Sequence, residues 1–171
     1  RTVTSVTLEE VGSVNASSSL ANVRLAYDLD QTAPYNCADQ SYNGTESLFG
    51  AALANGFTGP DGTATFTDSV AISTSSTMCL YPVLDVLDSA ANGETLDVAI
   101  ADPSSDVVVS SGSVGPGSQI ALNGSTTIAS AELAQTGYHW RANDGTEVTA
   151  TSLTGGVADS PAVGVQRGET V

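Results

Sequence analysis

Apolar residues recur at every second position along this chain, in one short run after another, and that period admits little except β-strands. Between residues 19 and 30, Val23, Leu25, Tyr27 and Leu29 alternate with Asn22, Arg24, Asp28 and Asp30. Between 63 and 73, Ala64, Phe66, Val70 and Ile72 alternate with Thr63, Thr65, Thr67 and Ser69; Leu96, Val98 and Ile100 do the same over 94–101. Each run has one face for a core and one for water, the pattern of antiparallel sheets. Further strands are expected at 107–111 and 119–128. Residues 78–87 are apolar on both faces, which predicts a central strand covered on both sides, with Pro82 marking a bulge or a locally free edge.

Helical windows are broken everywhere by Gly, Ser, Thr and Asn, leaving at most a turn of helix at 51–53 and 129–134. Turn chemistry punctuates the strands: Gly-Pro-Asp-Gly at 59–62, Asn-Gly at 92–93, Asp-Pro at 102–103 and Gly-Pro-Gly at 115–117. Short strands with a turn every dozen residues or so predict an all-β chain, an antiparallel β-sandwich of Ig-like or jelly-roll type with one disulfide and a C-terminal β-hairpin extension. The expected organisation is an N-terminal strand at 1–11, a sandwich at 12–128, and a hairpin arm or the start of a second sandwich at 129–171. The stretch 31–59 is long and irregular, and Cys37 would strap it across a face or edge of the sandwich.

Cys37 and Cys79 are the two cysteines, and neither belongs to a CxxC or Cys/His cluster, so a disulfide between them is expected. Closing a loop of that length contributes about 4 kcal/mol in the chain-entropy account. A disulfide implies an oxidising compartment, and abundant Ser, Thr, Gly and Asn with no lysine also suit export. No run approaches 18 apolar residues, so a mature secreted chain displayed at the cell surface is expected, with no membrane insertion. Four arginines against nineteen acids give a net charge of -15, which repels phosphate backbones and argues against nucleic acid as a partner.

The same acids are weighed as chemistry. His139 is the lone histidine, and no HExxH, GxSxG, Walker or GxGxxG motif occurs. Paired carboxylates exist, but with 5% aromatic residues there is little to line a sugar cleft. No enzymatic activity and no cofactor are expected. Asp28 and Asp30 share a strand face, and Asp39 follows in the loop. Together they are the candidate calcium ligands, against the plainer reading of solvated acids. Asn15, Asn43 and Asn123 each begin an Asn-x-Ser/Thr acceptor and are the glycosylation candidates of an acidic surface glycoprotein.

The tail holds Tyr138-His139-Trp140-Arg141-Ala142-Asn143-Asp144-Gly145, an aromatic strand running into a tight turn. This octet resembles the Tyr-x-Trp-Arg-x-Asn/Asp-Asp-Gly hairpin of modular surface proteins of environmental bacteria, where it opens an Ig-like sandwich and precedes a Val-Arg-Leu-Arg-type strand. The segments from Asn22-Val-Arg-Leu through Cys79-Leu-Tyr-Pro-Val-Leu-Asp85 to Asp106-Val-Val-Val-Ser-Ser-Gly112 also look like repeat units of such proteins. The resemblance covers about two thirds of the chain and implies surface display, scaffolding or adhesion, with no catalytic residues.

Two functions follow as expectations. The first is a structural subunit of an extracellular filament, pilus-like fibre or surface array, joined head-to-tail to copies of itself by shared β-strands. The second is a carbohydrate-binding or adhesive module, with glycans as partners. Strand sharing would use residues 1–11 as a donor, with Thr2, Thr4, Val6 and Leu8 on one face, beyond a flexible 12–19 stretch. The interface candidates are Val3, Val6 and Leu8 at one end and Tyr138, Trp140 and Arg141 at the other. Tyr and Trp suit either a small core or an interface anchor.

Overall fold

The computed structural model describes residues 1–119, 124–129, 141 and 149. The chain divides into two units, Arg1–Ser130 and Ala131–Val171. Of the second unit only Arg141 and Thr149 are described, so the expected hairpin at 138–148, with Tyr138 and Trp140, lies outside the described residues, as do 120–123 of the expected 119–128 strand and 130–134 of the expected 129–134 turn.

The first unit is mostly β, with antiparallel pairing throughout. Strands β1 (Thr2–Glu10), β4 (Thr63–Ala71), β7 (Val98–Ala99) and β8 (Val107–Val109) form one sheet, in which β1 pairs with each of the others. Strands β2 (Leu20–Asp30), β3 (Ser47–Leu48) and β5 (Thr77–Val86) form a second, in the order β3-β2-β5. A minor pair joins β6 (Thr95–Leu96) to β9 (Thr126–Thr127). Two single-turn helices, α1 (Ala16–Ser19) and α2 (Pro103–Asp106), occupy bends between strands. Asp102 caps α2 by accepting from the Ser104 N–H, and Pro103 starts it, an arrangement that needs neither a free proline N–H nor a helical run.

Both sheets feed one apolar core. Val6, Leu8, Ala64 and Phe66 from the first meet Leu20, Val23 and Leu25 from the second, with Phe49 and Phe57 between them. The alternating face read in the sequence for β4 is the buried one, as is that of β2 at Val23 and Leu25, whereas Ala26 and Asp30 on the other face of β2 are buried as well. Each fully buried Val, Leu or Phe contributes roughly 1.5–3 kcal/mol relative to exposure. Tyr27 meets Phe49 edge-to-face, ring centroids 6.4 Å apart, which orients the segment after β3. That segment then follows β2: Val23 and Leu53 exchange backbone hydrogen bonds at 3.0 and 2.9 Å, and the Phe49 N–H donates to the Leu25 carbonyl at 2.7 Å. This flank of β2 is therefore closed, and residues 51–53 form a bridge instead of the expected helical turn.

Four further expectations change. The N-terminal strand does not stand apart: β1 is the middle strand of its own sheet, and Val3, Val6 and Leu8 lie in the core at 6%, 0% and 3% exposure. They are thus core residues and not a free interface. A donor strand must expose its apolar row, and this row is already covered by β2 and β4 side chains. Its face assignment shifts as well. A register slip between Val3 and Ser5 moves the buried phase, so Val3 joins Val6 and Leu8 while Thr4 turns its hydroxyl to the Val108 carbonyl at 3.2 Å.

The third change concerns β5, which is an edge strand among the described residues and not a central one. Its inner row, Met78, Leu80 and Leu84, packs against the core, while its outer row holds Cys79 and Tyr81 under the loop after β2. A strapped loop, and not a further layer, makes both faces apolar. The single run expected at 94–101 is split between β6 and β7, because Asp97 turns its N–H to the carboxylate of Glu10.

Candidate functional site

The loop that follows β2 is the most elaborately fastened part of the unit. Asp30, at the end of β2 and 4% exposed, accepts from the Thr32 N–H at 2.9 Å with Oδ1 and from the Cys37 N–H at 3.1 Å with Oδ2. Cys37 is disulfide-bonded to Cys79 on β5, the two Cα atoms 5.9 Å apart, and no free cysteine remains. The Thr77 hydroxyl donates to the Tyr35 carbonyl. Further along, Tyr42 lies against Tyr81 of β5, centroids 6.0 Å apart and planes tilted by 45°. The expected strap across one face of a sheet is thus present, held by a carboxylate, a disulfide and a ring pair.

The three calcium candidates are not brought together. Asp30 spends both oxygens on backbone N–H groups, Asp28 sits opposite Cys79, and Asp39 is exposed in the loop. Among the described residues no group of three His, Cys, Asp or Glu is placed to hold a metal ion. Charge does collect near Tyr81, whose hydroxyl is enclosed without a hydrogen-bond partner. Its phenol is raised above the ordinary range by burial and by Asp28, Glu46 and Asp30.

Of the glycosylation candidates, Asn15 and Asn43 are exposed and Asn123 lies outside the described residues. Asn15 Oδ1 accepts from the Ser17 hydroxyl at 3.0 Å. Asn43 Oδ1 accepts from the Thr45 hydroxyl at 2.6 Å and from its N–H at 3.0 Å. Glu46 closes the same turn by accepting from the Asn43 and Gly44 N–H groups at 2.7 and 2.8 Å. Burial opposes ionisation of Glu46, but these and neighbouring backbone N–H groups together hold its pKa below the usual value.

A second buried acid was invisible to alternation. Glu10 is fully buried at the end of β1; its Oε1 accepts from the Gly12 N–H at 2.9 Å and the Asp97 N–H at 3.1 Å, while Oε2 has no partner. A Cβ at Gly12 would stand 2.2 Å from the Thr95 carbonyl oxygen and 2.6 Å from Glu10 Oε1, so only glycine fits beneath this carboxylate. The signal available in the sequence was the Glu-Glu-Val-Gly ending of an alternating run.

The remaining feature is an opening. β5 pairs with β2 on one side and has no strand on its other side among the described residues. There, between β5 and the β6–β7 segment, the core is reached through two adjoining hollows. One, of about 240 Å³, is lined by Leu8, Leu80, Pro82, Val98, Ala99, Ile100 and Pro103. The other, of about 370 Å³, shares Pro82 and Val98 and continues along Leu84, Leu96, Asp97 and residues 124–126. Pro82 is exposed at the lip, and Val86 and Leu87 are exposed beyond it at 46% and 41%.

Comparison with known proteins finds no matching family model, no matching curated protein and no matching solved structure. No helix among the described residues is long and apolar enough to cross a membrane. Arg141, half-buried, belongs to the second unit and is engaged in an interaction there or elsewhere.

Proposed function

We propose that this chain is a structural module of an extracellular surface assembly, a filament, pilus-like fibre or array, whose copies join by extending one another's sheets. The two sheets around one core fit an antiparallel β-sandwich of Ig-like or jelly-roll type, and the disulfide fits an oxidising compartment outside the cell. The observation that carries the reading is the flank of β5: a strand of ten residues with one partner strand among the described residues, beside a cleft lined by core side chains. A strand edge of that length is a liability in a soluble monomer unless it is covered. An acidic, lysine-free surface keeps a crowded extracellular protein soluble while leaving that edge as the point of contact.

Sedimentation velocity and negative-stain microscopy over a concentration series test the reading. Species that grow with concentration are expected; a monodisperse monomer at the highest attainable concentration refutes it. A second reading, an adhesive carbohydrate-binding module, draws on Tyr42, which is 47% exposed beside Tyr81. Saturable quenching of tyrosine fluorescence by neutral oligosaccharides would favour it.

A further inference from the structure

We propose that the cleft beside β5 receives a β-strand from a second copy of this chain, and that the strand is residues 162–171. The inference rests on the assembly reading above and names the partner segment.

The cleft asks for an extended segment. Its floor is formed by Leu80 and Leu84 of the inner row of β5, with Pro82 exposed at the lip between them, and Leu96, Val98 and Ile100 line it across the gap. Two hollows in line, sharing Pro82 and Val98, match side chains that project at every second residue. The outer edge of β5 supplies main-chain N–H and C=O groups, interrupted only at Pro82. The first unit cannot offer β1 for this purpose, because Val3, Val6 and Leu8 fill its own core.

Residues 162–171 have the required pattern. Val163, Val165 and Arg167 fall on one face, and Ala162, Gly164 and Gln166 on the other, so the face turned away from the cleft is small or polar. Two branched aliphatic side chains suit hollows lined by Leu, Val, Ile and Pro. Charge selects the direction. The unit Arg1–Ser130 holds fourteen of the nineteen acids but two of the four arginines, and Asp97 lines the second hollow. Parallel addition that sets Val163 beside Leu80 and Val165 beside Pro82 carries Arg167 to Leu84, next to Asp97. Antiparallel addition would carry Arg167 away from Asp97. Donor and acceptor surfaces differ, so the contact is heterologous and propagates head-to-tail.

Two full-length variants test this. Val165→Asp damages the donor and leaves the cleft intact; Pro82→Asp, at an exposed position on the lip, damages the acceptor and leaves the donor intact. Near-UV circular dichroism and thiol titration confirm that each keeps its fold and its disulfide. Each variant alone should assemble at least tenfold more weakly than the parent chain. An equimolar mixture should form dimers and stop there, because one intact donor meets one intact cleft. A synthetic peptide of residues 162–171 should inhibit elongation of the parent chain and slow hydrogen exchange in β5. If Val165→Asp assembles like the parent, or the mixture gives no dimer while the parent still assembles, the named strand is wrong and the assembly reading survives. If the parent chain is monomeric with β5 already protected from exchange, the cleft is filled within one copy and both readings fail.

Discussion

Replacing Asp30 with alanine should cost about 2–3 kcal/mol of stability, far more than a solvated surface acid would. The carboxylate takes two backbone N–H groups, at 2.9 and 3.1 Å, and is 4% exposed. A hydrogen bond to a charged acceptor is worth roughly 1.5–3 kcal/mol net. The two bonds differ in what replaces them. Thr32 is exposed and its N–H turns to water, whereas Cys37 is half-buried, held by its disulfide, and its N–H is left poorly solvated. Relief of the buried charge offsets part of the loss, which brings the expectation below the sum of two such bonds. In urea, with a slope of about 2 kcal/mol/M for a unit of this size, the midpoint should fall by about 1.2 M without a change of slope. Asp30→Asn should sit close to the alanine variant, since its amide can accept one N–H but must present its own donors to the other. The reasoning is refuted if Asp30→Ala lies within about 0.5 kcal/mol of the parent chain.

Three further outcomes are expected. Reducing the Cys37–Cys79 bond should lower stability by about 4 kcal/mol less any native strain, read by urea unfolding with and without reductant. Asp102 has its pKa lowered, chiefly by the Ser104 hydroxyl, so its contribution is present above the ordinary aspartate value and lost as pH falls through the lower folded value; carboxyl NMR titration should show this midpoint move up in Ser104→Ala. Material from a glycosylating host should carry sugar on Asn43 and Asn15, seen as discrete mass increments removed by Asn43→Gln and Asn15→Gln; a native mass equal to the bare chain would show the exposed acceptors unused.

Much of the fold was legible because alternation reports burial directly. Val23, Leu25, Ala64, Phe66 and Val70 were readable as core from period two alone, and two cysteines without metal spacing left few choices. Period two does not say which strand lies beside which, however. β1 has the same alternation whether it stands free or sits mid-sheet, and the slip at Thr4 puts Val3, in place of Thr2 and Thr4, on the buried face with Val6 and Leu8. β5 looked central because burial on two faces is the same signal whether a sheet or a strapped loop provides it; Pro82 was the honest clue to an edge. Residue type alone presents acids as solvated or as cation ligands, so it overlooks Glu10 and does not show that Asp30 fastens backbone N–H groups. Both sit where a strand ends and nearby N–H groups lack ladder partners, and a carboxylate satisfies those groups. Asp102-Pro103 was read as a turn, although an acceptor followed by proline is equally the start of a helix.

The position of β1 and the closing of the loop at Cys79 also set how the unit answers tension. A pull applied at Arg1 runs along β1, antiparallel to β4 on one flank and to β7 and β8 on the other, so the ladders are sheared together and cannot open one bond at a time. Should they yield, the bridge from Cys37 to Cys79 withholds a 42-residue stretch from extension, roughly 140 Å of chain at about 3.4 Å per residue. With the bridge intact the unit therefore yields less length under load; a reductant lengthens its reach without touching the strand that bears the first load.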